Sequence, residues 1–136
     1  MPDARCPFER PILSAQCGCE NATRNVVAER MSVGCRSPVA HHNCQLLVEM
    51  FKERSRFALK IADPWQDLPF EKQMRVMVGG LTGLRQALDP GAAGRVANIN
   101  ALVREAQERF GALESLPFDG VVRAIAAFRP KRRGRP

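Results

Sequence analysis

The chain has 136 residues and a net charge of +7, yet residues 1–122 hold 15 basic and 14 acidic side chains, and the other six positive charges fall in the last 14 residues. This length suits one domain with one core, and the basicity belongs to the tail and not to a folded face. No apolar run approaches the roughly 20 residues needed to cross a bilayer, and Met1 to Arg10, with Asp3, Arg5, Glu9, Arg10 and two prolines, lacks the basic-then-apolar layout of a secretory signal, so a cytoplasmic location is expected.

In chain order, residues 1–37 combine four cysteines with Pro2, Pro7, Pro11, Gly18 and Gly34. They show no sustained period beyond a short helix at Ala22–Met31, and no stretch reads as a strand. A segment with so little core of its own is expected to be irregular and to need something other than apolar burial, such as a metal, to order it. Ser37-Pro38 then supplies an N-cap hydroxyl followed by proline at the first helical position, opening a helix to about Ile61 with Ala40, Cys44, Leu47, Val48, Phe51 and Ala58 inward. Asp63-Pro64 ends it.

A second helix, Phe70 to Leu88, places Phe70, Met74, Met77, Leu81, Leu84 and Leu88 at alternating steps of three and four. Its Gly79-Gly80-Leu81-Thr82-Gly83 lacks the lysine and hydroxyl of a nucleotide loop and has no strand before it, so close helix packing is the better account. After the turn Asp89-Pro90-Gly91, a third stripe runs through Val96, Ile99, Leu102, Val103, Ala106, Phe110 and Leu113. A short fourth helix, capped by Asp119, carries Val122, Ile125 and Phe128 inward and stops at Arg129-Pro130. The expected fold is mainly α: a single domain over residues 1–128 of about four helices, with a cysteine-rich metal-binding segment at 1–37 and a basic disordered tail at 129–136. Trp65 reads as a core cap at a helix end.

The chemistry lies in the cysteines. Cys6, Cys17, Cys19, Cys35 and Cys44 are separated by ten, one, fifteen and eight residues, and the remaining 92 residues contain no other. An odd count in a reducing compartment argues against a disulfide framework, whereas converging thiolates hold zinc or an iron–sulfur cluster. Structural zinc sites pair ligands two to four residues apart, twice over, and that repeat is missing. Scattered ligands on loops suit an iron–sulfur cluster, and Cys6-Pro7 resembles the cysteine–proline step of bacterial ferredoxin motifs. The five cysteines are therefore candidate ligands of a cluster of open type, with zinc as the alternative.

A cluster needs four of the five. Cys6, near the terminus, and Cys44, on an apolar helix face, are the less secure; Cys17, Cys19 and Cys35 are firmer. Gly18 lets Cys17 and Cys19 turn the same way in an extended backbone and spares a cluster a crowding side chain. His41 and His42 read as solvated first-turn side chains. The implied use is electron transfer or redox sensing with a protein partner; a zinc-stabilised module that binds nucleic acid or protein through its basic tail and a metal-free thiol redox protein are the other readings. Two adjacent histidines and no nucleophile elbow give no case for a hydrolytic enzyme.

The tail, Lys131-Arg132-Arg133-Gly134-Arg135-Pro136, resembles the AT-hook over Arg133, Gly134, Arg135 and Pro136. The resemblance implies contact of Arg133, Gly134 and Arg135 with the narrow minor groove of A·T-rich DNA, where guanidinium groups meet a strong negative potential. Any DNA affinity is expected to fall with salt at a log–log slope no steeper than about −4 to −5, because the tail offers five cations. Titrations of A·T-rich and G·C-rich duplexes at several salt concentrations check this. Arg135→Ala should remove the A·T preference, and a chain ending at 128 that binds as tightly as the full one would show that the tail is not the contact.

Overall fold

A computed structural model describes residues 4–62 and 68–129. The order is β1 (Ala4–Arg5), α1 (Glu9–Leu13), β2 (Ala22–Val27), β3 (Arg30–Cys35), α2 (Pro38–Ser55), α3 (Phe70–Met74), α4 (Gly80–Leu88), α5 (Ile99–Phe110) and α6 (Phe118–Ala127). A π-helical turn at Arg75–Gly79 joins α3 to α4, and a 3-10 turn at Leu113–Ser115 precedes α6. The chain is mainly helical, with one small antiparallel sheet in the order β1-β3-β2.

The sheet corrects the expected strandless, irregular N-terminal third. Ala22–Val27 is a strand, not a helix, and pairs with Arg30–Cys35 from Ala22 opposite Cys35 to Val27 opposite Arg30. The connection is Ala28-Glu29, both at positive φ (52° and 67°). That is the backbone of a two-residue hairpin turn normally advertised by Asn-Gly or Asp-Gly, so the sequence gives no turn signal here. The outer half of the hairpin is also exposed, with Val26 (66 %) opposite Met31 (49 %), and no alternating pattern marks it.

Apolar burial reaches this segment too. Phe8, Ile12 and Val33 are at most 2 % exposed and belong to the same core cluster as the helices. Phe8 and Ile12 lie one turn apart at and within α1, and α1 packs on β3.

The helices follow their stripes more closely. Ser37 Oγ accepts the Ala40 N–H at 3.1 Å, with Pro38 opening α2, as its sequence requires. The helix ends at Ser55, so the inward positions beyond Phe51 are Ser55, Leu59 and Ile61, and Ala58 is exposed. Ser55 is buried because its hydroxyl donates back to the Phe51 carbonyl at 2.6 Å. Met74, Met77, Leu81, Leu84 and Leu88 are buried, but Phe70 at the start of the stripe is 51 % exposed. In α6 the N-cap is Pro117, Asp119 sits in the first turn, and Phe118, Val121 and Ile125 face the core; Val122 and Phe128 are half-buried. Asp63-Pro64, Trp65 and the tail from Pro130 lie outside the described residues.

The glycines of the second helix are packing glycines. A Cβ at Gly83 would stand 2.9 Å from the Val121 Cα and 2.8 Å from the Ala124 Cβ, and one at Gly80 would enter the Phe51 ring. The backbones of α4 and α6 meet there without side chains between them. Gly83→Val should therefore cost about 1–3 kcal/mol through overpacking against backbone that cannot yield. Gly120→Ala, where a Cβ meets nothing within 4 Å on the same α6, should be neutral or stabilising by up to about 1 kcal/mol. Urea denaturation of the two variants checks the contrast.

Candidate functional site

Residue 33 fixes the site. Its carbonyl accepts the Cys6 N–H at 2.9 Å, and its N–H donates to Glu9 Oε2, also at 2.9 Å. Glu9 is only 7 % exposed, and its other oxygen takes Arg5 Nε at 2.7 Å. The loop carrying Cys6 is thereby tied to β3, whose last residue is Cys35. His41 Nε2 lies 3.0 Å from the Arg5 carbonyl and joins β1 to the first turns of α2, one turn before Cys44. It is a partly exposed first-turn side chain that also holds this backbone.

The segment between α1 and β2 is fastened from the far end of the sequence. Cys17 forms a parallel bridge with Val96, the Gly18 N–H donates to the Val96 carbonyl at 3.0 Å, and the Ile99 N–H donates to the Gly18 carbonyl at 2.8 Å. The Glu20 N–H is accepted by Asn98 Oδ1 at 3.1 Å, and Asn100 Nδ2 reaches Glu20 Oε2 at 2.6 Å. Gly18 is a glycine because a Cβ would stand 2.9 Å from the Ala97 carbonyl oxygen, which is a different reason from room for a cluster.

These restraints bring Cys6, Cys19, Cys35 and Cys44 to the lining of one small cavity, closed by Phe8, Ala22, Ala40 and Ile99. Two loops, a strand and a helix supply the four sulfurs. Cys44 feels the charges of Cys6, Cys19 and Cys35. Cys17 stands apart: it is 2 % exposed, within electrostatic reach of Cys6 and Cys19, but it lines a different and larger cavity. Cys17 and Cys19, two residues apart, therefore line different cavities. The sequence-based preference for Cys17 over Cys6 and Cys44 does not match this placement; residues 96–99, which fasten this segment, lie about 80 positions away.

Burial pushes the Cys6 thiol up to about 11, against a partly compensating hydrogen bond from the Phe8 N–H. It pushes Cys44 up to about 12, with the other three thiols adding to the rise. Cys35 Sγ donates to the Ser37 carbonyl at 3.3 Å. No lysine, arginine or histidine lines the cavity, so only a bound cation could balance thiolates there.

Spacing bears on which cation. Among the described residues no three His, Cys, Asp or Glu side chains stand in a geometry that holds a metal ion. The four thiols thus share the lining of one cavity without standing in the geometry of a single bound ion. All five cysteines are free, and Arg133, Gly134 and Arg135 lie outside the described residues.

No family model, curated protein or solved structure matches the chain. No helix among the described residues is long and apolar enough to cross a membrane.

Glu9→Ala should cost about 1–3 kcal/mol, because it leaves the buried Val33 N–H without an acceptor. Arg5→Ala, which removes only the exposed partner of the Arg5–Glu9 pair, should cost at most about 1 kcal/mol. Chemical denaturation of both variants tests whether Glu9 anchors the loop or merely pairs with Arg5.

Proposed function

We propose that the protein binds an iron–sulfur cluster through Cys6, Cys19, Cys35 and Cys44 and serves in electron transfer or redox sensing. The observation that carries this reading is the convergence of four thiols, from two loops, a strand and a helix, on one small apolar cavity. A cluster is favoured over zinc because the four cysteines are scattered along the chain and lack the twice-repeated two-to-four-residue spacing of structural zinc sites. The donor set fits in chemistry as well as number, since soft thiolates are what iron–sulfur centres take.

A bound cluster would supply one-electron chemistry. The chain's own part is to hold the four sulfurs, to exclude water with Phe8 and Ile99, and to stabilise the Cys6 thiolate by the Phe8 N–H. Pro7, which has no N–H, leaves that donor as the first one after Cys6. Hydrogen bonds to sulfur and low exposure are the two levers by which a protein sets such a potential. The metal-free thiol reading gains less support, because reactive cysteines have lowered pKa values and those of Cys6 and Cys44 are raised.

Protein purified without oxygen should be brown, absorb near about 400 nm and contain iron with acid-labile sulfide. Serine at Cys6, Cys19, Cys35 or Cys44 should each remove most of the iron, whereas Cys17→Ser should keep it. Colourless protein with stoichiometric zinc would replace the cluster by zinc; full iron retention in the Cys6 and Cys44 variants would refute this ligand set.

A further inference from the structure

The larger cavity is unconnected with the chemistry proposed above. It is a groove of about 930 Å³ between α1 with the residues after it, the α3–α4 helix, residues 94–96 and Phe128. That is within the range of roughly 300–1,000 Å³ typical of sites for small organic ligands. Its walls are apolar: Leu13, Phe70, Val78, Leu81, Val96 and Phe128. Two of these are conspicuous for their exposure, Phe70 at 51 % and Leu13 at 37 %.

Among the described residues, the charged side chains that line it are Arg10 and Arg95, and no aspartate or glutamate does. The Arg10 guanidinium lies 5.9 Å from the centroid of the Phe70 ring. Arg95 makes a single long hydrogen bond, 3.4 Å, to the Ala15 carbonyl. Among the described residues neither guanidinium has a carboxylate partner. Two cations without counter-ions on an otherwise neutral, apolar lining are complementary to a molecule with one anionic end and a greasy body.

We propose that this groove binds a small amphipathic carboxylate, with the carboxylate held by Arg10 and Arg95 and the hydrocarbon laid against Phe70, Leu81, Val96 and Phe128. Guanidinium forks suit a carboxylate because both are planar and can pair through two parallel hydrogen bonds. The proposal rests on the groove alone and stands whether or not the thiol cavity takes a cluster. The two sites nevertheless share one segment, Cys17 lining the groove and Cys19 the thiol cavity.

Calorimetric titration of the full chain with octanoate, octanol and acetate tests it. Octanoate should bind; octanol, which keeps the hydrocarbon, and acetate, which keeps the charge, should each bind at least about tenfold more weakly, in line with the loss of a hydrogen bond to a charged group or of most apolar burial. Arg10→Ala and Arg95→Ala should weaken octanoate about tenfold and leave octanol unchanged, while Phe70→Ala should weaken both. All three side chains are substantially exposed or at the rim, so folding, checked by circular dichroism, should survive. Octanoate binding that persists undiminished in the Arg10→Ala/Arg95→Ala double variant overturns the proposal, as does octanol binding as tightly as octanoate or the absence of octanoate binding at millimolar concentration.

Discussion

Everything about the thiol cavity depends on how the backbone of Val33 is satisfied. A β-strand position in the middle of a sheet would pair its N–H and carbonyl with neighbouring strands. Here the carbonyl takes the Cys6 N–H and the N–H is given to a side chain, the buried carboxylate of Glu9. The strand β1 is only two residues long, too short to complete the ladder, and Glu9 stands in for the missing acceptor. A buried carboxylate is tolerated because both its oxygens are engaged. That bond adds to the β1–β3 pairing and the Cys6 N–H bond to Val33, and with them holds the segment bearing Cys6 against the strand that ends in Cys35.

The rest of the frame is helical and held differently. Glycines at positions 79 and 83 let the second helix approach the backbone of Ile125 and Val121, and Gly80 leaves room for the Phe51 ring. Helix α2 is the shared wall: its Phe51 packs against Gly80, and two turns earlier its Cys44 lines the thiol cavity. The position of Cys44 is therefore set by the helical core, and that of Cys6 and Cys35 by the sheet. The reading of Cys44 as either core residue or ligand candidate dissolves, since an apolar helix face is what lines this cavity.

The parts legible in the sequence were those with local physical causes. Ser37-Pro38 marks the start of α2 because a hydroxyl cap and a proline at the first turn act within four residues. The stripes of α4 and α5 are legible because burial repeats with the helix period, whereas the inward face of α6 is Phe118, Val121 and Ile125 and not the expected Val122, Ile125 and Phe128. Ala58 and Phe70 were misjudged where a stripe was extended past the helix end or up to its first residue. The hairpin was hidden because Ala28-Glu29 carries none of the usual turn residues. As for the site, five thiols in 39 positions announce soft-metal chemistry, but the odd one out is decided by Val96, Ala97 and Ile99. No local pattern around Cys17-Gly18-Cys19 records contacts made so far along the chain.

That distance has a consequence for how the molecule is made. Cys6, Cys19, Cys35 and Cys44 all leave the ribosome within the first third of synthesis, but the segment bearing Cys19 is pinned by residues 96–100. A pairing across about 80 residues must wait for the intervening chain and carries the entropy of closing a long loop. During that interval the thiols are separate cysteines outside the cavity whose burial raises Cys6 and Cys44 in the folded protein. The nascent chain is thus the stage at which these sulfurs are most open to oxidation, and completion of α5 is the event that closes that period.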